Sequence, residues 1–250
     1  MPDPIRWGVI GSGGIARRRT IPEGIVPASN ARLAAVYDLN AEVNRDVAAG
    51  QNARAVNSIP ELLDSGVDAV YIATPANQHY EHAIQAASAG KHVLCEKPLG
   101  LSEQEAVRMA AVAAEHGVQF GTAFMMRFHA QHQAAKAIIE AGGVGKLVYG
   151  RAQLSCWYPP IPNAWRQNPA LGGGGSLIDM GGHCIDLLEM FFGPVCKVSC
   201  FTANLVHDYR SEDSAVVMLQ FANGALATVD TFFCVRDECS RNVLEIYGST

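Results

Sequence analysis

This sequence predicts an α/β fold in two parts. A parallel sheet with crossover helices comes first, and an α+β domain on an open-faced, mainly antiparallel sheet follows. Three observations predict it. Short apolar runs alternate with helical stretches over residues 1–122, the pattern of a parallel sheet with right-handed crossovers. A glycine-rich turn, "GSGGIA", directly follows the first apolar run. Past residue 122 the texture changes to strand-like segments separated by turn signals. The expected domains are therefore residues 1–122 and 123–250.

Composition narrows the function classes. With 250 residues, 49% of them apolar, the chain can bury a sizeable core. Only 17% are charged, which argues against disorder. The net charge is −5 and the one basic cluster is Arg17-Arg18-Arg19, so nucleic acid is not the expected partner. No run of 18 apolar residues predicts a membrane span. The start, "MPDPIRWGVIG", enters a strand without a signal-like region, so a cytoplasmic protein is expected. The seven cysteines fit no metal-ligand spacing and read as free thiols. The helical-spaced pairs His79/His82 and His129/His132 are weak metal signals, and no metal is expected.

The elements follow in order. "IRWGVI", residues 5–10, reads as a short buried strand. Gly11, Gly13 and Ala16 then fill the three positions of G-x-G-x-x-G/A, with Ser12, Gly14 and Ile15 between them. Such a turn permits close backbone approach to a pyrophosphate, and the helix after it presents N–H groups and a positive dipole end. "LAAVYD" is the next strand and ends at Asp38, where an acidic residue would hold a ribose diol. Together these predict a Rossmann-type dinucleotide domain; the bland alternative is a βα turn with a helix-capping Asp. A short strand and a helix near Pro60 follow. Next come the strand "DAVYIATP", the helix "NQHYEHAIQAASAG", the strand "KHVLCEKP", a helix capped by Ser102 and Glu105, and the strand "VQFGTAF". Ligands bind beyond the C-terminal ends of such strands. That singles out the glycine turn, Thr74-Pro75 and Glu96-Lys97-Pro98. Lys97 ends an apolar strand at the ligand edge, and Pro98 fixes the backbone after it.

The second half opens with a helix over "RFHAQHQAAKAIIEAGGVG" and an alternating strand, "KLVYGRAQLSCW". A Pro- and Trp-rich loop leads into a helix from Ser176 to about Phe191. Four strand-like segments close the chain, two of them joined by the hairpin signal Asn223-Gly224. On the Ser176 helix, Asp179, His183 and Asp186 share a face, while Leu177, Ile178, Ile185, Leu188 and Phe192 serve the core. Gly181 and Gly182 weaken that helix, by roughly 0.5–1 kcal/mol each against alanine. Close approach of a ligand ring or another backbone is the expected reason; tight helix–sheet packing is the alternative.

The motifs "GVIGSGGIA", "YIATPANQHYEHAIQAASAGKHVLCEKPL" and "GGGSLIDMGGHCIDLL" together resemble one family. It is the oxidoreductases grouped around glucose–fructose oxidoreductase, inositol dehydrogenase and the rhizopine-catabolism protein (Gfo/Idh/MocA). Within it, the loop "YPPIPNAWRQNPALGGGG" looks most like 1,5-anhydrofructose reductases and sugar dehydrogenases. The resemblance implies an active site between the two domains, with Lys97, Asp179 and His183 catalytic. It implies Thr74, Pro75, Asn77, His79, Glu96 and Lys97 along the cofactor, and Arg127, Trp165 and Arg166 toward substrate. It also implies a homo-oligomer through the C-terminal sheet. Family members run past this length, so a chain lacking its last strands and a closing helix is expected.

The expected reaction is hydride transfer between a nicotinamide and a hydroxyl or ketone carbon of a sugar, polyol or derivative. His183 would be the general base, Lys97 would stabilise developing negative charge, and Asp179 would orient the substrate or tune His183. Asp38 favours NAD over NADP, because a carboxylate repels a 2′-phosphate. Arg45 or Arg17–Arg19 could still reach a phosphate. Two rivals are a redox-assisted NAD-dependent glycosidase and a non-catalytic dinucleotide-binding regulator; intact Lys97, Asp179 and His183 argue against the second.

Overall fold

A computed structural model describes residues 3–250. The chain divides into two compact units, Met1–Ala123 and Phe124–Thr250.

The first unit is a six-stranded parallel sheet in the order β3-β2-β1-β4-β5-β6. Its strands are β1 (Ile5–Ile10), β2 (Ala31–Tyr37), β3 (Arg54–Ala55), β4 (Ala69–Ile72), β5 (His92–Cys95) and β6 (Phe120–Thr122). This is the doubly wound order, which reverses between β1 and β4 and so opens a ligand crevice there. The helices are α1 (Ala41–Gly50), α2 (Ile59–Asp64), α3 (Ala76–Ser88) and α4 (Glu103–Glu115), with a π-helical segment over Ala16–Ile25. One face of the sheet packs Ile10, Val70, Ile72 and Val93 on α2, α3 and α4. The other packs Val9, Val36 and Tyr71 on the π segment and α1.

Side-chain caps set several helix starts. Asn40 accepts from the Glu42 and Val43 N–H groups at the start of α1. Ser102 accepts from the Glu105 N–H at 3.2 Å. The Glu105 carboxylate reaches back one residue further than a standard capping box, to the Leu101 N–H at 2.7 Å. The helix after the glycine turn is π-helical, not α-helical. Pro22 lies inside it, has no N–H and would clash with the carbonyl four residues earlier. The wider turn relieves this, and the Val26 N–H bonds Ile21 O, five residues back, at 3.0 Å.

The second unit is a five-stranded sheet, order β11-β7-β10-β9-β8. Its strands are β7 (Leu147–Ser155), β8 (Val195–Ala203), β9 (Ser214–Phe221), β10 (Leu226–Phe232) and β11 (Asn242–Gly248). Every pairing is antiparallel except β10 with β7. The β9–β10 turn holds Gly224 at φ 88°, and its Asn223 side chain accepts from Ala225 N–H. Helices α5 (Ala130–Glu140) and α7 (Gly182–Phe192) cover one sheet face. There Leu187, Leu188 and Phe192 meet Ala152, Leu219 and Val229. A short α6 (Pro169–Gly172) interrupts the Pro- and Trp-rich loop.

Candidate active site

In the first unit the glycine turn is fixed by backbone crossing. Gly11 sits at φ +83°, and a Cβ there would lie 2.8 Å from Ala73 C and 2.9 Å from Thr74 N. Only glycine lets the β1 and β4 ends pass so closely. Asp38 braces the same turn: Oδ2 accepts from Gly13 N–H and Oδ1 from Asn40 N–H, both at 2.9 Å. So Asn40, not Asp38, caps α1. Two observations fit a dinucleotide here. The Ser12 hydroxyl is fully buried in the turn without a hydrogen-bond partner among the described residues. Gly14, at φ +46°, faces open space. A phosphate would use that hydroxyl and the adjoining helix N–H groups.

The other two strand ends are strapped down by buried side chains. His79, 1% exposed, has Nδ1 2.7 Å from Pro98 O and Nε2 2.8 Å from Thr74 O. A neutral ring donates from one nitrogen only, so only the imidazolium serves both carbonyls. Burial is the larger influence and depresses the His79 pKa below its usual value, against those carbonyls and Glu96. Burial likewise depresses His82, whose Nδ1 lies 3.1 Å from Thr74 Oγ1. The His79/His82 pair thus holds the Thr74 turn. Among the described residues, no group of three His, Cys, Asp or Glu is arranged to hold a metal.

Glu96 is tied from below. The buried Tyr71 hydroxyl donates to Glu96 Oε1 at 2.6 Å and accepts from Thr20 Oγ1 at 2.9 Å. Burial and then Glu96 raise the Tyr71 pKa, which keeps it a phenol donor. Lys97 follows, half-buried, and its peptide bond to Pro98 is cis. Asn77 is exposed in the first turn of α3, just after Pro75.

In the second unit Asp179 and His183 lie on one continuous helix that changes type between them. Leu177–Gly181 is π-helical and α7 follows from Gly182. The wide turn is closed by the Gly182 N–H to Leu177 O, and such turns recur at functional sites. Gly181 is buried, and a Cβ there would meet Leu177 Cδ1 at 2.7 Å and Thr231 Cγ2 at 3.6 Å. A Cβ there would require the Leu177 side chain to shift, while β10 lies at ordinary contact distance. Gly182 is less crowded, its Cβ position lying an ordinary 3.8 Å from Phe124. The His183 ring meets the Phe124 edge with ring centres 5.9 Å apart.

Asp179 Oδ1 accepts from Arg166 Nε at 2.9 Å. The Arg166 guanidinium also lies 4.1 Å from the Trp165 ring centre. Burial works against the Arg166 charge, but Asp179 and Tyr158 more than offset it and raise its pKa. Sequence spacing had no means of finding Tyr158. Asp186, on the same helix, pairs with Arg127, whose Nε lies 2.7 Å from both carboxylate oxygens, and that guanidinium is the counter-ion of a buried carboxyl. Burial nonetheless raises the Asp186 pKa.

A doubly wound parallel sheet with a glycine turn after its first strand is the architecture of a dinucleotide-binding domain. The chain belongs to the Gfo/Idh/MocA family. Residues 5–124 match the oxidoreductase family with an NAD-binding Rossmann fold, and residues 132–250 match its C-terminal domain. The chain is similar to a 1,5-anhydro-D-fructose reductase of Ensifer adhaerens, 32% identical over 98% of this chain and 73% of that protein. It also resembles the WlbA dehydrogenase of Bordetella pertussis, solved with NADH and UDP-GlcNAcA. There the TM-score is 0.88 at 28% identity, covering 99% of this chain and 72% of that one. GenD2 of gentamicin A biosynthesis, solved with NAD, gives a TM-score of 0.91 at 28% identity, covering 100% and 71%.

The depressed histidines make stability depend on pH. Their folded pKa values lie below the unfolded value of about 6.5, so the unfolded chain binds more protons in that window. Their contribution is complete above about pH 6.5 and is lost as pH falls toward the folded pKa values. Thermal melts between about pH 7.5 and about pH 5.5 are expected to show a fall in Tm that is shallower for His79→Gln. An unchanged slope would show that His79 does not titrate on unfolding.

Proposed function

We propose that this chain transfers a hydride between a nicotinamide and a CH–OH or ketone carbon of a sugar, polyol or related small molecule. The observation that carries the reading is the helix bearing Asp179 and His183 one turn apart, with Asp179 ion-paired to Arg166. Bound nicotinamide would supply the hydride acceptor or donor. His183 takes the hydroxyl proton during oxidation and returns it to a ketone in reduction, since imidazole titrates near working pH. Asp179, held by Arg166, orients the hydroxyl-bearing substrate. Lys97 donates to the reacting oxygen as negative charge develops.

Ser12, Gly13 and Gly14 receive the pyrophosphate, with Thr74, Pro75, Asn77 and Glu96 at the neighbouring strand ends. The favoured cofactor is NAD. Each Asp38 oxygen accepts one backbone N–H and keeps a lone pair for a ribose hydroxyl, while its charge opposes a 2′-phosphate. NADP is the alternative.

A second copy of the chain is the proposed partner. Phe201, Val216, Met218, Leu226 and Tyr247 are exposed, and register puts them together on the sheet face opposite α7. Seven unpaired cysteines suit a reducing, cytoplasmic location.

Turnover of NADH or NAD with 1,5-anhydro-D-fructose and a panel of aldoses and polyols tests the reading. His183→Ala is expected to lower kcat by about 10²–10⁴ with cofactor binding intact. An unchanged kcat would remove His183 from the chemistry.

A further inference from the structure

The helix that carries Asp179 and His183 has no cap of its own. Ser176 stands at its N-cap, but its side chain makes no capping bond. The Ser176 hydroxyl instead donates to Thr231 O at 3.2 Å. The N–H groups at and just before the helix start are met from another part of the chain. Glu212 Oε2 accepts from Gly175 N–H at 2.8 Å and Oε1 from Leu177 N–H at 3.0 Å. Between them, Ser176 N–H donates to the Glu212 backbone carbonyl at 3.0 Å. One residue thus takes three successive N–H groups.

Gly175 makes this possible. A Cβ there would lie 1.9 Å from Glu212 O, whereas one on Gly174 would meet Glu212 Oε2 at an ordinary 3.5 Å. The Glu212 backbone is itself anchored by its neighbour. The fully buried Asp213 carboxylate accepts from Leu205, Val206 and His207 N–H groups at 2.8–2.9 Å. Asp213 is also tied through its own backbone to Ala203 O at 3.2 Å and by Phe233 N–H at 2.7 Å.

We infer that Glu212 is a positioning residue for the reaction. From the β8–β9 loop it caps the helix start and fixes the direction in which Asp179 and His183 are presented. The inference rests on the proposed function, because it takes those two residues as the working pair. The physical basis is twofold. A carboxylate on helix N–H groups makes charge-assisted bonds with the positive end of the dipole. Its two oxygens also hold Gly175 and Leu177 on either side of the helix start, which restricts rotation and slide. Asp179 is two residues beyond Leu177 and donates its own N–H to Gly175 O at 2.9 Å, so a loosened start reaches it directly.

Glu212→Gln is the informative variant. It keeps the side-chain volume and one acceptor but sets an NH₂ donor against a backbone N–H. The expected result is a kcat at least about tenfold lower, since small misplacements of reacting groups are costly. The NADH dissociation constant stays within about twofold of the parent, and amide exchange over residues 175–192 speeds up while residues 5–20 are unchanged. A kcat within about twofold of the parent, or unaltered exchange at the helix start, would overturn the inference. So would equal loss of NADH binding, which would mark a general folding role. Should Glu212→Gln fail to accumulate, Glu212→Asp is read by the same criteria. His183→Ala in parallel separates the two ideas. If it retains full activity, His183 leaves the chemistry and the working pair assumed in the proposed function fails; if it is inactive while Glu212→Gln turns over normally, only Glu212's role fails.

Discussion

A helix begins with backbone N–H groups that nothing inside it can satisfy. Both units of this protein place a key helix after a glycine run and leave its start without a side-chain cap of its own. They resolve the deficit in opposite ways. In the first unit, Asp38 takes the Gly13 N–H and leaves the helix start, the buried Ser12 hydroxyl and the open flank of Gly14 for an anion. In the second, Glu212 consumes the Gly175, Ser176 and Leu177 N–H groups, so that start is structural. Glycine is required in both places because another backbone passes too near for a Cβ, at Gly11 and at Gly175.

Around the first site, side chains brace the ends of the strands. His82 bonds the Thr74 hydroxyl, and His79 lies between the Thr74 and Pro98 carbonyls, within hydrogen-bond distance of each. Tyr71 ties Glu96 to Thr20 on the π segment. These straps converge on the residues flanking Lys97, which is how a flexible side chain acquires a defined origin. In the second unit Arg166, stacked on Trp165, performs the same service for Asp179.

Much of this was legible in the sequence because it is local. The alternation of apolar runs and helical stretches, the Gly11–Ala16 turn, the Ser102–Glu105 pair and the Asn223-Gly224 hairpin each depend on neighbours a few residues apart. What escaped is of two kinds. The π turns at Ala16–Ile25 and Leu177–Gly181 change the helical repeat without changing the apolar pattern that reveals a helix. The partners of Asp186, Asp179 and the Gly175 turn are set by chain returns of 59, 13 and 37 residues, and no periodicity records them. Asp186 shows the cost: its spacing groups it with Asp179 and His183, yet Arg127 claims it. The parallel pairing of β10 with β7 is likewise a matter of chain routing, not of side-chain alternation.

Whether the Gly11–Asp38 region receives a nicotinamide dinucleotide through its ribose and pyrophosphate is decided by titrating the purified chain with NADH and with NADPH and following nicotinamide fluorescence. Saturable NADH binding is expected, with weaker NADPH binding and loss of that preference in Asp38→Asn. Failure of either nucleotide to bind would contradict the dinucleotide reading, and tighter NADPH binding with Asp38→Asn unchanged would contradict the part assigned to Asp38.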